Sequence, residues 1–362
     1  MKIIHLEAST GWGGQEIRIL REAEGMRQRG HELLFAGMKG AKLLDAACKA
    51  GFTCRTFSFH RRSWIWTLMT LSSWMRKEGV EVINTHSSLD SWLGGIAGRL
   101  IGIPVLRTRH LSAAIRKGWN SRILYGMLAD AVVTTSACMV PVILAQSGKQ
   151  ETHCSSIPTG IDPEKMVYSS QEVEEFRKKL GIASTDFLVG TACVMRSWKG
   201  ILDLLQAADT LRDVPNLRWV VIGGGHEEVY RSEAARRKLE GIVYFTGHLS
   251  NPLPAIASLD LFTLLSTANE GVSQALLQAA WLKRPLLATT VGGSPEVCQE
   301  GYTGLLIPPF SPERVAESVL YCKANASFIK GWGEEARRLV EKKFLFAQML
   351  DQMEEVYRLI SR

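Results

Sequence analysis

Short apolar runs alternate with longer amphipathic segments along most of the chain. Such runs, bounded by turn residues, predict buried strands. The clearest amphipathic segment, residues 14–28, predicts a helix with Ile17, Leu20, Ala23 and Met26 on one side. Alternation of this kind predicts a parallel sheet flanked by helices. The predicted strands of the first half are residues 2–7, 32–36, 53–57, 80–85, 104–107 and 131–135.

The alternation is interrupted at residues 156–163, where two prolines and a glycine stop regular structure. This segment predicts a linker, and 362 residues are enough for two domains with a core each. We therefore expect domains over residues 1–160 and 161–340, with a last helix, 341–362, packing back on the first. The predicted strands of the second half are residues 188–194, 219–223, 243–246, 261–265, 286–288 and 305–307.

Two helix starts follow one another between residues 261 and 309. A buried strand leads into a loop with one acidic residue, Glu270, and Ser273 is well placed as the N-cap of a helix reaching about residue 283. After the next strand, a Gly-rich turn leads to Ser294 as a second N-cap, with Pro295 at the first helical position. Both helix N-termini should open at the carboxyl edge of the strands, where ligands bind and exposed N–H groups suit phosphate.

Glycines and histidines follow strand ends in the first half. Gly13 and Gly14 lie between the first strand and the first helix, where glycine lets a ligand approach the backbone closely. Their G-x-G-G pattern misses the dinucleotide-binding spacing and is a weak signal alone. His86 and His110 each follow a strand, so both are expected at the carboxyl edge of the sheet. A lone histidine is more often a structural residue, and that alternative stays open at this point.

Cations occupy two further strand ends. Arg107 and Arg109 alternate along the fifth strand, which we interpret as placing only one of them toward the site. In the second half, Arg196 and Lys199 lie in the turn after the first strand. Arg offers a planar fork and Lys a point charge, so the two suit a diphosphate. The alternative is a pair of solvated surface cations.

Composition and charge narrow the class of protein. The chain is 46% hydrophobic and 22% charged, as in soluble globular proteins, with no apolar run long enough to span a membrane and no apolar centre of a signal peptide near its start. Seven cysteines without a C-x-x-C pair favour reduced thiols in the cytoplasm over disulfides or a zinc site. Residues 1–165 hold 21 Lys and Arg against 13 Asp and Glu, which predicts an anionic partner. No nucleic-acid-binding signature occurs, so no nucleic acid is expected.

The block E-G-V-S-Q-A-L-L-Q, from Glu270 to Gln278, resembles the donor-binding signature of the family 4 glycosyltransferases, as do V-G-G-S-P-E and G-x-x-G-L-L after it. The glycine loop, the hinge I-P-T-G-I-D and the R-x-x-K turn occur in the family's order, so the resemblance covers nearly the whole chain. It implies the α/β fold called GT-B, in which two Rossmann-like parallel-sheet domains face each other across a cleft. The family's second Glu is Gln278 here, an uncharged amide that still accepts and donates hydrogen bonds.

The resemblance also implies roles for particular residues. Glu270 would meet hydroxyls of a nucleotide-sugar donor, and Gln278 would meet the ribose. Arg196 and Lys199 would bind the donor diphosphate, although the Arg lies three rather than five positions before the Lys. His110 resembles the family's histidine that lines the sugar site. The other candidate substrate contacts are Gly13, Gly14, His86, Arg109, Gly224, His248, Gly271, Val272 and Ser273.

The reaction implied by the resemblance is sugar transfer with retention at the anomeric carbon, through an oxocarbenium-like transition state. No D-x-D occurs, the pattern by which GT-A glycosyltransferases hold a metal, so neither a metal nor another cofactor is expected. The motifs resemble those of bacterial surface-polysaccharide enzymes, which implies a glycan or lipid-linked acceptor in lipopolysaccharide or polysaccharide biosynthesis. Two alternatives stay open: a non-hydrolysing nucleotide-sugar epimerase, and a non-catalytic sugar-binding subunit.

A tryptophan-rich segment, residues 60–77, is bracketed by the basic pairs Arg61-Arg62 and Arg76-Lys77. One helical face would carry Trp64, Leu68, Leu71 and Met75, and the plainer interpretation is that this face packs on the sheet. Trp66 and Trp74 fall off this stripe. Tryptophan with flanking cations is typical of a segment that rests on anionic lipid. The expected location is therefore the cytoplasm, with peripheral docking on the cytoplasmic face of the inner membrane as the further expectation.

Overall fold

The computed structural model describes residues 1–361 and divides into two compact units. Unit 1 contains Met1–Pro158 and the chain from Gln348 onward, and unit 2 contains Thr159–Ala347. The strands of unit 1 are β1 (Lys2–Glu7), β2 (Glu32–Gly37), β3 (Thr53–Thr56), β4 (Val82–Thr85), β5 (Val105–Arg109), β6 (Ala131–Thr134) and β7 (Cys154–Ser156). Those of unit 2 are β8 (Phe187–Ala192), β9 (Leu217–Ile222), β10 (Val243–Phe245), β11 (Leu261–Leu264), β12 (Leu286–Thr289) and β13 (Gly304–Ile307).

Helices connect these strands. Those before the unit boundary are α1 (Gly14–Gln28), α2 (Lys42–Lys49), α3 (Trp64–Glu78), α4 (Ser88–Ile101), α5 (Trp119–Ser121, continuing as a π-helical turn over Arg122–Met127) and α6 (Val140–Ser147). Those after it are α7 (Ser170–Lys179), α8 (Ile201–Thr210), α9 (Glu227–Arg236), α10 (Leu253–Ala257), α11 (Gln274–Trp281), α12 (Ser294–Val297), α13 (Pro312–Ala324), α14 (Ala326–Lys343) and α15 (Phe346–Ile360). Short 3-10 turns lie at Arg61–Ser63, Ala137–Met139, Glu151–His153 and Pro163–Lys165.

The sheet of unit 1 is entirely parallel, with strand order β3-β2-β1-β4-β5-β6-β7. Each predicted strand of this half overlaps an observed one. The strand β7 was missed because Cys-Ser-Ser has no apolar pattern. Since all strands run the same way, the segments that follow β1, β4 and β5 meet at one edge, and those three strands are neighbours.

The sheet of unit 2 is also entirely parallel, with order β10-β9-β8-β11-β12-β13. Neighbouring residues of its strands enter opposite cores: Leu188 and Phe262 pack on one face, and Val189 and Leu261 on the other. Burial on both faces explains why these strands read as continuous apolar runs. The loops after β8, β11 and β12 therefore share an edge near the middle of the sheet.

Helix α1 buries polar side chains that its sequence pattern places toward solvent. Ile17 is 41% exposed, whereas Arg18 is 2% exposed and Glu22 is fully buried. Of the four apolar residues predicted to share one side of this helix, Ala23 and Met26 are fully buried, whereas Ile17 is exposed. The hydroxyl of Tyr357, on α15, donates to Glu22 Oε1 at 2.7 Å and accepts from Asn84 Nδ2 at 2.7 Å. This buried network ties the C-terminal helix to α1 and β4.

Candidate active site

Glu270 lies in the loop between β11 and α11 and is only 6% exposed. Two hydrogen bonds converge on its Oε2 atom, from Lys199 Nζ at 2.7 Å and from Ser266 Oγ at 2.5 Å. Lys199 follows β8, which pairs directly with β11, so the parallel sheet brings the two loops together. The structure thus joins the acidic residue and one of the two cations that the sequence singled out.

The turn that carries Lys199 is tightly held. Gly200 has φ +68°, and a β-carbon there would overlap the carbonyl oxygen of Leu265. The backbone N–H of Thr267 donates to the Trp198 carbonyl at 2.8 Å. Because the loop after β8 packs on the loop after β11 in this way, only glycine fits at position 200, and the Lys199–Glu270 pair sits on a rigid support.

Arg196 behaves differently from Lys199. Its side chain is exposed, and its guanidinium lies 5.3 Å from the ring centroid of Trp198. Within residues 1–361 it forms no ion pair. The structure therefore brings Lys199, but not Arg196, to Glu270.

The first predicted helix start is confirmed. Ser273 is the N-cap of α11, and its hydroxyl accepts a hydrogen bond from the backbone N–H of Leu276 at 3.5 Å. Gly271 and Val272, just before it, pack against the second Gly-rich turn. The N–H of Gly293 donates to the Glu270 carbonyl at 3.1 Å, and a β-carbon at position 293 would lie 2.6 Å from the Val272 nitrogen.

At the second predicted helix start, a helix is present, but the prediction that Ser294 is its N-cap was wrong. Gly293, not Ser294, is the N-cap of α12, and α12 has only 4 residues. Ser294 is the first helical residue, with its hydroxyl fully buried and without a hydrogen-bond partner among residues 1–361. The preceding turn packs so closely on Gly271 and Val272 that the chain enters the helix one residue earlier than the Ser-Pro pattern indicates.

The remaining unit 2 candidates lie in nearby loops and on α11. Gln278 is half-buried on α11, on the same element that Ser273 caps. The loops after β9 and β10 meet, because the N–H of Gly223 donates to the Gly247 carbonyl at 3.1 Å. A β-carbon on Gly224 would lie 3.6 Å from the nearest atoms of His248, which is itself exposed. These loops lie on one side of β8, and the Glu270 loop lies on the other.

In unit 1, three histidines form a chain at the carboxyl edge. His5 Nδ1 lies 2.9 Å from His86 Nε2, and His86 Nδ1 lies 3.0 Å from His110 Nε2. The rings of neighbouring members are 5.1 and 5.2 Å apart between centroids. Burial lowers the pKa of His5 to about 3 and holds the pKa values of His86 and His110 well below their usual range. The charge of Arg18 lowers the pKa values of His86 and His110 further. All three are therefore neutral at physiological pH.

Arg107 and Arg109 face the same side, which corrects the interpretation that only one of them does. Arg109 Nη1 donates to the Tyr125 hydroxyl at 2.6 Å, and Arg107 Nη2 donates to the same oxygen at 3.3 Å. Residues two apart on a strand point to the same face of the sheet, so the strand geometry itself predicts that both arginines face one way. Arg107 is buried over the Tyr125 ring, 4.3 Å from its centroid, while Arg109 is half-buried.

Two carboxyl groups near the glycine loop were not found from the sequence. Glu7 accepts from Gln15 Nε2 at 2.5 Å and from the Ser9 N–H at 2.7 Å. Burial raises the pKa of Glu7 to about 8, and the neighbouring Asp90 carboxyl adds to the shift. Asp90 holds the Ala8 and His86 N–H groups at 2.9 and 3.1 Å. The signal for Glu7 is an acidic residue at the end of β1, directly before the glycine loop, and the signal for Asp90 is its place in the first turn of the helix after β4.

The glycine loop itself begins α1. Gly13 is the N-cap of this helix, with no side-chain cap, and Gly14 is exposed. A β-carbon at Gly14 would meet nothing within 4 Å, so packing within the protein does not require glycine there. In the described part of the chain, residues 1–361, no cluster of three or more His, Cys, Asp or Glu could hold a metal ion. Metal-independence stays a prediction.

Comparison with known proteins identifies the family. Residues 12–165 match the model described as Glycosyltransferase Family 4, and residues 172–339 match the model described as Glycosyl transferases group 1. The Anabaena protein HepE, solved in complex with UDP and glucose, has a TM-score of 0.83 and 21% identity, over 98% of this chain and 98% of that one. Two parallel-sheet α/β units and this likeness define the GT-B fold.

Two relatives illustrate the range of the family. The N-acetyl-alpha-D-glucosaminyl L-malate synthase of Bacillus anthracis is 24% identical over 78% of this chain and 75% of its own length. An Escherichia coli enzyme, UDP-Gal:alpha-D-GlcNAc-diphosphoundecaprenol alpha-1,3-galactosyltransferase, is 25% identical over 73% and 72%. The chain belongs to the family 4 glycosyltransferases and is an enzyme of that kind. This assignment decides against the epimerase and the non-catalytic subunit.

Proposed function

We propose that this glycosyltransferase moves a sugar from a nucleotide-sugar donor to a glycan or lipid-linked acceptor in surface-polysaccharide or lipopolysaccharide biosynthesis. Transfer retains the anomeric configuration and uses no metal ion. The observation that carries the donor side is the Lys199–Glu270 pair, 2.7 Å apart in the loops after β8 and β11. A buried pair at this edge, where ligands of parallel α/β sheets bind, fits a site rather than a surface ion pair.

The pair explains how one carboxylate can serve the sugar. Both hydrogen bonds to Glu270 converge on Oε2, so its Oε1 is available to hydroxyls of a donor sugar. Fixing Oε2 with Lys199 and Ser266 orients the carboxylate before the donor arrives. Preorganised polar groups of this kind stabilise charge that develops in the transition state at little reorganisation cost.

Lys199 supports the departure of the nucleoside diphosphate. The Lys199 side chain is only 17% exposed, so the attraction of its ammonium to a diphosphate is screened less than that of a surface lysine. A diphosphate brings more negative charge than the single Glu270 carboxylate and competes for the ammonium. Arg196, exposed beside Trp198, is free to add a second cation from the solvent side. Backbone N–H groups before α11, near Val272, complete the positive surroundings.

An exposed apolar patch on α3 supports docking of unit 1 on anionic lipid, where a lipid-linked acceptor would lie. Ile65, Trp66 and Met69 are 78%, 70% and 62% exposed, and Arg61 and Arg62 are exposed just before them. Trp74, predicted to fall off the packed stripe, is instead 6% exposed and lies tilted against Phe57, with 5.7 Å between the ring centroids. The lipid-facing set is therefore Ile65, Trp66 and Met69. No helix of residues 1–361 meets the length and hydropathy of a membrane-crossing segment.

A donor screen tests the proposal. The protein is heated with each of a panel of nucleotide-sugars in a chelating buffer, because a ligand at 100 times its Kd stabilises by about 2.7 kcal/mol. We expect one nucleotide class to raise Tm and then to support transfer to a diphosphate-linked or free glycan acceptor. A panel without any stabilising nucleotide-sugar, in protein shown to be folded, contradicts the proposal.

A further inference from the structure

Three strands of unit 1 each contribute one member of a continuous histidine chain. His5 belongs to β1, His86 follows β4, and His110 follows β5. Their spacings of 2.9 and 3.0 Å are hydrogen-bond distances, and the three residues are 1%, 5% and 8% exposed. His110, the most exposed of the three, is the residue that the family resemblance assigns to the sugar site.

The three tautomers are coupled. A neutral imidazole carries one N–H and one lone pair, and His86 uses both of its nitrogens within the chain. The chain therefore has only two consistent arrangements, in which all N–H groups point from His5 toward His110 or all point the other way. A protonated histidine has no lone pair and could not accept a hydrogen bond from its neighbour. Burial disfavours this charged form, so the three histidines stay neutral.

The environment of His5, at the buried end of the histidine chain, decides between the two arrangements. His5 Nε2 is buried without a hydrogen-bond partner among residues 1–361. Buried N–H groups without an acceptor are rarer in folded proteins than unpaired acceptors, so the arrangement that leaves a lone pair at His5 Nε2 is favoured.

We propose that His5 and His86 are positioning residues that fix the tautomer of His110, so that His110 presents an Nδ1–H donor to the sugar substrate. His5 Nδ1 donates to His86 Nε2, His86 Nδ1 donates to His110 Nε2, and the last N–H lies on Nδ1 of His110. This Nδ1–H of His110 would donate a hydrogen bond to an oxygen of the sugar. Because the imidazole is neutral, no charge has to be desolvated when the sugar binds. This role rests on the proposed function, since it gives the His110 N–H a sugar to bind.

Nitrogen-15 NMR of the histidine rings tests the tautomer without any substrate. In the wild-type protein, His110 is expected to carry its proton on Nδ1, and His5 on Nδ1 as well. A wild-type His110 protonated on Nε2 overturns the proposal whatever the activity. Because no donor or acceptor is needed, this result is independent of the proposed function, whose own failure would show as absence of sugar transfer.

Variants test the positioning role. His86→Phe keeps a flat ring but removes both hydrogen bonds, and should leave His110 in a mixture of tautomers. We expect about a 10- to 100-fold loss of transfer rate, by comparison with the loss on removing the hydrogen-bond partner that orients a metal-binding histidine. His86→Asn keeps an amide able to donate to His110. Across the three proteins, activity should rank with the fraction of His110 that carries Nδ1–H.

A matched control variant separates the effect of the His110 tautomer on the rate from a general loss of stability. His31→Phe removes a histidine of unit 1 that does not belong to the chain of three histidines. Its Nε2 lies 3.2 Å from Glu354 Oε1. It should leave both the His110 tautomer and the rate unchanged. Wild-type activity in a His86→Phe protein with a mixed His110 tautomer, or activity unrelated to the tautomer across the variants, overturns the positioning role.

Discussion

Lys199 and Glu270, 71 residues apart in the chain, form a largely buried ion pair with Lys199 Nζ 2.7 Å from Glu270 Oε2. The pair joins the loops after two adjacent strands of the unit 2 sheet. Under the proposed function, the Lys199 ammonium would bind the departing diphosphate and the Glu270 carboxylate would bind the transferred sugar.

Glu270→Gln should lower turnover much more than nucleotide binding. The amide removes the charge that meets the sugar, where positive charge develops, and leaves Lys199 free to bind a diphosphate. We expect a loss of about 10²–10³ in kcat, the size found on removing one preorganised stabilising group. Affinity for UDP or the diphosphate found in the donor screen should change little by calorimetry. Collapsed diphosphate affinity with normal turnover at saturating donor contradicts the assigned role.

Replacing both Arg196 and Lys199 by Ala should weaken binding of the nucleoside diphosphate by about 2–5 kcal/mol. Lys199→Ala alone should account for most of this, because Arg196 is exposed and screened by solvent and salt. Calorimetry with the diphosphate and the monophosphate measures the effect. The double variant Lys178→Ala with Lys179→Ala removes the same charge from the exposed surface of α7 and should bind as wild type. Equal losses for diphosphate and monophosphate would place the two cations away from the β-phosphate.

Stability should fall with rising pH through the titration of Glu7. Its pKa rises from 4.5 to about 8 on folding, so the folded state binds a proton that the unfolded state has lost between these values. The stability is fully present below pH 4.5 and is lost toward pH 8, with a slope of about 1.4 kcal/mol per pH unit from this group.

Urea unfolding of wild-type and Glu7→Gln protein from pH 5 to pH 8 measures this contribution. The Gln variant cannot ionise, so its advantage over wild type should grow with pH. Glu32→Gln, on the exposed surface of the same unit, should give a profile parallel to wild type. A constant difference between Glu7→Gln and wild type over this range would show that the Glu7 carboxyl does not titrate as proposed.

The fold was largely predictable from the sequence, because buried parallel strands leave continuous apolar runs. Every predicted strand overlaps an observed one, and the Ser273 cap is confirmed. Burial of polar residues was not predictable. Arg18 and Glu22 look like solvent-facing positions of an amphipathic helix, and their partner Tyr357 is 335 residues away from Glu22 in the chain. A periodicity argument carries no information about such long-range pairing.

In the candidate site too, local sequence patterns predicted single residues but not their contacts across the fold. A motif of adjacent residues pointed to Glu270, and a turn pattern pointed to Lys199, but only the strand order brings them together. His5 was absent from the predicted site because a histidine inside a strand reads as one more core position. Its bond to His86 spans 81 residues, so the chain of three appears only when β1, β4 and β5 are neighbours.

Unit 1 should bind vesicles that contain anionic lipid, but not zwitterionic ones, in a salt-sensitive way. Each cation near such a surface contributes about 1 kcal/mol, and Trp66 and its neighbours add apolar contact. Arg61→Glu with Arg62→Glu should weaken co-sedimentation strongly in a normally folded protein. The control is Lys178→Glu with Lys179→Glu, an equal charge change in unit 2. Negligible binding to both vesicle types at low salt would end the membrane proposal while leaving the transferase intact.

The configuration of the transferred sugar tests the central claim most directly. Wild-type protein is incubated with its donor and an acceptor in the presence of a chelator, and proton NMR follows the anomeric signal of the first product formed. We predict that transfer proceeds without added metal and that the product keeps the anomeric configuration of the donor, with Glu270→Gln forming it far more slowly. An inverted anomeric centre, or transfer that appears only when a divalent metal is restored, would contradict the account.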